Sequence, residues 1–221
     1  MKSIKYLSLA CLIGLVAVNA AAQQNAQNSQ AQMQSQGLDA GKLVSLGDFY
    51  YRSLDVSDAA DRYYKQAIRS APESEAAGFA QYNRGSYWFR KFYVVREQYS
   101  KEDRSALTQA EGHYYDFIDK FARETNTEGL LSDAEFYLAL VYLQQGKRDY
   151  AIGWLNRMLS EAVPADKSVY VYKVVWSSKP GDIVDRNVDA AQLATFARKA
   201  IEKEDDIEDA IRDIKHWCKK Q

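Results

Sequence analysis

Residues 46–51 read Leu-Gly-Asp-Phe-Tyr-Tyr, and Ala60, Tyr64, Ala67 and Pro72 follow them at helical spacing. On a helix Gly47 and Tyr50 lie one turn apart on the same face. A small residue there lets a neighbouring helix approach, and the ring fills the space beyond. The same grammar returns twice. Arg84-Gly85-Ser86-Tyr87-Trp88-Phe89 is followed, after a longer turn, by Ala110, Tyr114 and Phe117. Leu138-Ala139-Leu140-Val141-Tyr142-Leu143 runs on through Gly146, Ala151, Leu155 and Met158. Gly146 stands where the chain must stop and turn back, a position where a left-handed residue costs least. Self-similarity of this kind predicts an all-α chain of stacked antiparallel helical hairpins.

Working outward, the spacing predicts helices near 40–54, 57–71, 74–92, 101–124, 132–146 and 148–162, with Pro72, Pro164 and Pro180 marking boundaries. Ser57, Ser100 and Ser132 read as helix starts. Ser132 and Glu135 have the spacing of a capping box, and Ser100 with Asp103 forms a weaker one. Further on, residues 190–203 read as a helix. Ile207, Ala210, Ile211, Ile214, Trp217 and Cys218 then form one apolar stripe. Acidic residues crowd the start of that last helix and lysines its end, which suits the helix dipole and a solubilising terminal cap. Residues 169–176, Val-Tyr-Val-Tyr-Lys-Val-Val-Trp, carry two readings. Propensity favours a strand in a short β-hairpin near 169–185. A fourth repeat would instead place a helix there, with Tyr172 and Trp176 against the preceding pair.

The three segments resemble tetratricopeptide repeats, whose pattern runs Leu-Gly-x-x-Tyr, then Ala-x-x-x-Phe/Tyr-x-x-Ala, then Pro. The resemblance implies a right-handed superhelix whose concave groove binds a protein or peptide segment. Carried over position by position, that groove comprises Asp48, Tyr51 and Arg52, then Ser86, Phe89 and Arg90, then Leu140, Leu143 and Gln144. Aromatic and arginine side chains are good interface anchors. The alternative for Tyr51 and Phe89 is that they cover a neighbouring helix. The spacing departs from the family: Gly47 to Gly85 is 38 residues and Gly85 to Ala139 is 54, against about 34 in the repeat. Residues 113–159 are also similar to repeats in bacterial outer-membrane assembly lipoproteins and periplasmic cell-division coordinators, which points to location rather than function.

Location is also read from the first residues. Lys2 and Lys5, an apolar run over residues 6–18, and Ala20, Ala21 and Ala22 form a secretory signal peptide over 1–22, cleaved after Ala20 or Ala22. The run is too short to span a bilayer, so no transmembrane span is expected after cleavage. Cys11 raises lipoprotein anchoring as the weaker reading, because Ser8 stands three places before it. Residues 23–37 hold seven Gln and two Asn with no charge, too little apolar surface to offset the entropy of ordering. They read as a tether over 23–38, followed by repeats over 39–163 and a C-terminal helical repeat and cap over 164–221. Loss of Lys2 and Lys5 leaves 27 basic against 30 acidic side chains, so no strong positive field draws nucleic acid.

The sequence carries no Gly-x-Ser-x-Gly elbow, phosphate loop, dinucleotide fingerprint or zinc-protease helix. His216 and Cys218 are two residues apart, which places them on different sides of a helix and argues against a shared zinc. Cys218 reads as a buried thiol. The acidic residues at 202–209 lack a calcium loop with a central glycine. No cofactor, metal or catalytic residue is expected. The sequence therefore reads as an exported, non-enzymatic adaptor for a protein or peptide partner in the periplasm. The alternatives are an accessory factor or enzyme acting on cell-wall glycan, and a self-assembling structural protein.

Overall fold

Capping chemistry sets several helix ends in the computed structural model, which describes residues 38–52, 58–100, 102–122, 130–160, 168–171 and 186–220. The leader and tether lie outside these residues apart from Leu38. Contacts divide the chain into Met1–Asp39 and Ala40–Gln221, and the second unit carries the fold.

Its helices are α1 (Ala40–Arg52), α2 (Ala59–Ser70), α3 (Glu75–Tyr99), α4 (Arg104–Lys120), α5 (Leu131–Gln144), α6 (Arg148–Ser160), α7 (Ala190–Lys203) and α8 (Ile207–Lys220). Short connections fold them into hairpins α1/α2, α3/α4, α5/α6 and α7/α8, and each hairpin packs on the next. The first helices also touch directly, α1 on α3 and α3 on α5, while α8 reaches α5. This is the expected all-α stack of hairpins.

Where starts were expected, the structure makes different choices. Ser74 caps α3, its Oγ accepting from the Ala77 N–H at 3.2 Å. Ser100 does not open α4; it closes α3 with a left-handed backbone at φ 50°. Asp103 caps α4 instead, accepting from the Ser105 N–H at 3.2 Å. The capping box at Ser132 does not form, since α5 already begins at Leu131 and every residue from Ser132 to Leu143 is buried. A capping box belongs to an exposed first turn, whereas a helix covered on all sides belongs to the core. Ser57 lies outside the described residues. Gly146 does take the left-handed turn, φ 78°. Its N–H bonds the Leu143 carbonyl at 3.0 Å and the Lys147 N–H bonds that of Tyr142 at 2.9 Å, the paired closure of a Schellman motif.

Between α6 and α7, β1 (Ser168–Val171) and β2 (Arg186–Asp189) pair antiparallel, with Ser168 opposite Asp189 and Val171 opposite Arg186. The strand reading thus holds for residues 168–171, displaced slightly outward from 169–185, and residues 172–185 lie outside the described residues. The fourth hairpin is α7/α8. The contiguous apolar core runs from α3 to α8, and buried rings are prominent in it and in α2: Tyr64, Phe89, Tyr93, Tyr114, Phe117, Phe136 and Tyr137 are fully buried.

Candidate functional site

The glycines do what their spacing predicts. Tyr64 of α2 lies against Gly47 of α1 so closely that a Cβ there would stand 2.4 Å from the ring. Its hydroxyl donates to Asp48 Oδ1 at 2.7 Å. Tyr114 of α4 repeats this on α3: a Cβ at Gly85 would meet the ring at 2.7 Å, and the hydroxyl lies 3.0 Å from Ser86 Oγ. In both hairpins a ring rests on glycine and its hydroxyl is hydrogen-bonded to the next residue. The third hairpin has Ala139, Leu140 and Leu155 at the matching positions, so it packs without this hydrogen bond.

That arrangement consumes positions expected to line the groove. Asp48 also accepts from Asn83 Nδ2 at 2.9 Å, and burial holds its carboxyl above the usual range despite Tyr64, Arg52 and Asn83. Ser86 is buried, as are Phe89, Arg90, Leu140 and Leu143. Phe89 stands edge-on to Tyr93 at 5.2 Å. Arg90 donates to the Tyr51 carbonyl and lies 5.0 Å over the Tyr51 ring, so it closes the C-terminal end of α1. Burial pushes its pKa down. Half-buried Gln144 donates to Tyr93 Oη at 3.0 Å. Arg52 alone is exposed. The structure brings α1 and α3 residues of this set together as a seam, because the first helices close on each other. On α3, Arg96 reaches Glu208 of α8 at 2.6 and 3.3 Å, and Lys215 lies 4.8 Å over Tyr93. The expected groove positions therefore do not form an open surface.

An open surface lies elsewhere, between α4 and α6. Tyr115, Asp149, Tyr150, Gly153, Trp154 and Arg157 line a cleft of about 400 Å³. Tyr150 is 62% exposed and Tyr115 44%, whereas Trp154 is only 9% exposed and forms the covered part. Tyr115 meets Trp154 edge-on at 5.5 Å, Tyr150 stacks on Tyr142 at 5.3 Å, and the Arg157 guanidinium lies 5.0 Å from the Trp154 ring centre. The walls are braced from behind. Glu111 of α4 accepts from Tyr142 Oη at 3.0 Å and from Gln145 Nε2 at 2.8 Å, and Arg157 Nε lies 2.9 Å from the buried Glu135 carboxylate. A Cβ at Gly153 would meet nothing within 4 Å. Sequence reasoning missed this cleft because it followed the stripe Ala151, Leu155 and Met158, which is buried. The signal was there in Tyr150 and Trp154, two large rings one turn apart and one position off that stripe.

His113 and Cys218 are among the titratable groups buried away from the cleft. Gln81 Nε2 donates to Asp116 Oδ2 at 3.0 Å and lies 3.1 Å from His113 Nδ1, which makes Nδ1 an acceptor and leaves the proton on Nε2. Burial brings His113 down to about 4, so the ring is neutral near pH 7. Cys218 is buried on the apolar face of α8, its thiol pushed up by burial to about 12. Among the described residues no cluster of three or more His, Cys, Asp or Glu is placed to hold a metal, and no helix is long and apolar enough to cross a membrane. Comparison of the chain with protein-family models, curated proteins and solved structures finds no match.

Proposed function

We propose that this protein is an exported, non-catalytic scaffold that docks a protein segment in the bacterial cell envelope, and that the cleft between α4 and α6 is its docking face. The observation that carries this reading is the cleft itself: exposed rings of Tyr115 and Tyr150 around Trp154 on a braced helical wall. Rigid aromatic side chains bring contact area at little entropy cost, and covered central rings with exposed neighbours are the usual anatomy of an anchor point. The likeness to tetratricopeptide repeats supports an adaptor role. The leader over residues 1–22 supports export to the periplasm, and the Gln-rich stretch behind it would give the scaffold reach.

The test is crosslinking in cells that carry the full chain with a photoreactive benzophenone side chain at position 150. Light should yield an adduct with a second envelope protein, and Gly153→Met, which fills the cleft, should abolish it. The processed chain should begin after Ala20 or Ala22 by mass spectrometry. Absence of a light-dependent adduct, or one indifferent to Gly153→Met, would reject this docking face.

A further inference from the structure

We propose that the cleft takes a proline-rich segment in the polyproline II conformation, with a basic side chain set against Asp149; this rests on the cleft being the docking face. The first support is the lining. Tyr115, Tyr150 and Trp154 present ring faces and edges, while Gly153 leaves the floor between Tyr150 and Trp154 without a side chain. Pyrrolidine rings fit between aromatic ridges, and aromatic-lined grooves are the recurring receptors of such segments. A glycine inside a helix is unfavourable by roughly 1 kcal/mol relative to alanine, and no neighbour here demands its small size. Open space over the cleft is what it provides.

Charge supplies the second support and selects the occupant. Arg157 is engaged by Glu135 at 2.9 Å. Asp149, exposed in the first turn of α6, makes no ion pair among the described residues. The charge left unanswered is negative, which calls for a cation and disfavours an anionic ligand. A neutral sugar chain would cover the rings and donate hydroxyls to Asp149 but bring no charge to it, so it is the competing occupant in the test below.

Length gives the third. Asp149 and Arg157 are eight residues apart on α6, a rise of about 12 Å at ~1.5 Å per residue. About four polyproline residues at ~3.1 Å each cover that span. Such a segment has no internal hydrogen bonds and little conformational freedom to lose, so a shallow cleft with few polar contacts can hold it.

Fluorescence polarisation with the mature chain decides the matter, using a fluorescein-labelled peptide of one lysine followed by five prolines. A second peptide has glutamate in place of the lysine, and chitotetraose is the competing sugar. The lysine peptide should bind more tightly than the glutamate peptide, about threefold, and Asp149→Lys should reverse that order. Tyr150→Ala should weaken binding about tenfold, and Gly153→Met should abolish it without lowering the melting temperature. The proposal is overturned if the lysine peptide does not bind, if its binding is unchanged in Gly153→Met, if Asp149→Lys leaves the preference intact, or if only chitotetraose binds. A light-dependent adduct at position 150 alongside a silent peptide assay would sink the polyproline assignment alone. Failure of both would sink the docking face.

Discussion

At the scale of single residues, glycines in one sequence class do opposite work. Gly47 and Gly85 are covered by the rings of Tyr64 and Tyr114, and Gly153 faces open space. Replacing Gly47 or Gly85 by alanine forces a ring out of place, a cost of about 1–3 kcal/mol by overpacking, which outweighs the roughly 1 kcal/mol of helix propensity gained. Gly153→Ala collects that gain with no clash. Urea denaturation should show the first two less stable than the parent and the third more stable, and equal signs at all three would contradict the packing described. His113 supplies a pH signature. Its folded pKa, about 4, lies below the ordinary 6.5, so the unfolded chain binds the extra proton between these values. Its contribution is complete above about pH 6.5 and declines as pH falls towards 4, with an upper size of about 3 kcal/mol. His113→Gln should flatten the stability profile across that window relative to the parent, with Asp116, Asp61, Arg84 and Lys65 left in place.

Among the elements, helix ends are finished by arginines from neighbours as well as by local caps. Arg90 of α3 bonds the Tyr51 carbonyl near the end of α1. Arg148 of α6 does the same for α7, donating to the carbonyls of Ile201 at 3.0 Å, Glu204 at 2.6 Å and Asp205. Orphan carbonyls at a helix end attract cationic donors both as hydrogen bonds and through the dipole. Arg148→Ala should cost about 1–2 kcal/mol, and hydrogen exchange should speed up at the end of α7 and in the turn into α8. Arg148→Lys should restore part of the protection. If exchange there is unchanged in Arg148→Ala, the arginine does not finish α7.

These long-range caps show where legibility in the sequence stops. The helices, the terminal stripe and the glycine-ring spacing follow from contacts within one hairpin and were readable from local period. A capping arginine 53 residues from its carbonyl is not, as with Arg148 and Ile201. Ser132 misled for the same reason, since only tertiary cover decides whether a serine near a helix start meets water or core. The groove positions failed at this scale too. Ser86, Phe89, Arg90, Leu140 and Leu143 are taken up by packing among neighbouring helices. The cleft between α4 and α6 was half legible: its rings are visible in the sequence, but the partnership of Tyr115 on α4 with Trp154 on α6 is made by folding.

Across the whole molecule, the last helix ties the stack back on itself. Ala210, Ile211, Ile214 and Cys218 of α8 enter the common core, Trp217 stacks on Phe196 at 5.0 Å, and Glu208 reaches back to Arg96. The Arg96 pair is partly exposed and contributes less than about 1 kcal/mol, so the apolar face holds α8 down. Cys218 consequently acts as a clock. A thiol that is covered and protonated is inert to a disulfide reagent such as dithionitrobenzoate until α8 lifts away. In a chain lacking Cys11, the rate of colour release at reagent concentrations where it no longer rises should therefore equal the detachment rate of the final segment. Ile214→Ala should accelerate it severalfold, and an instantaneous reaction in the native state would mean that this segment is never seated.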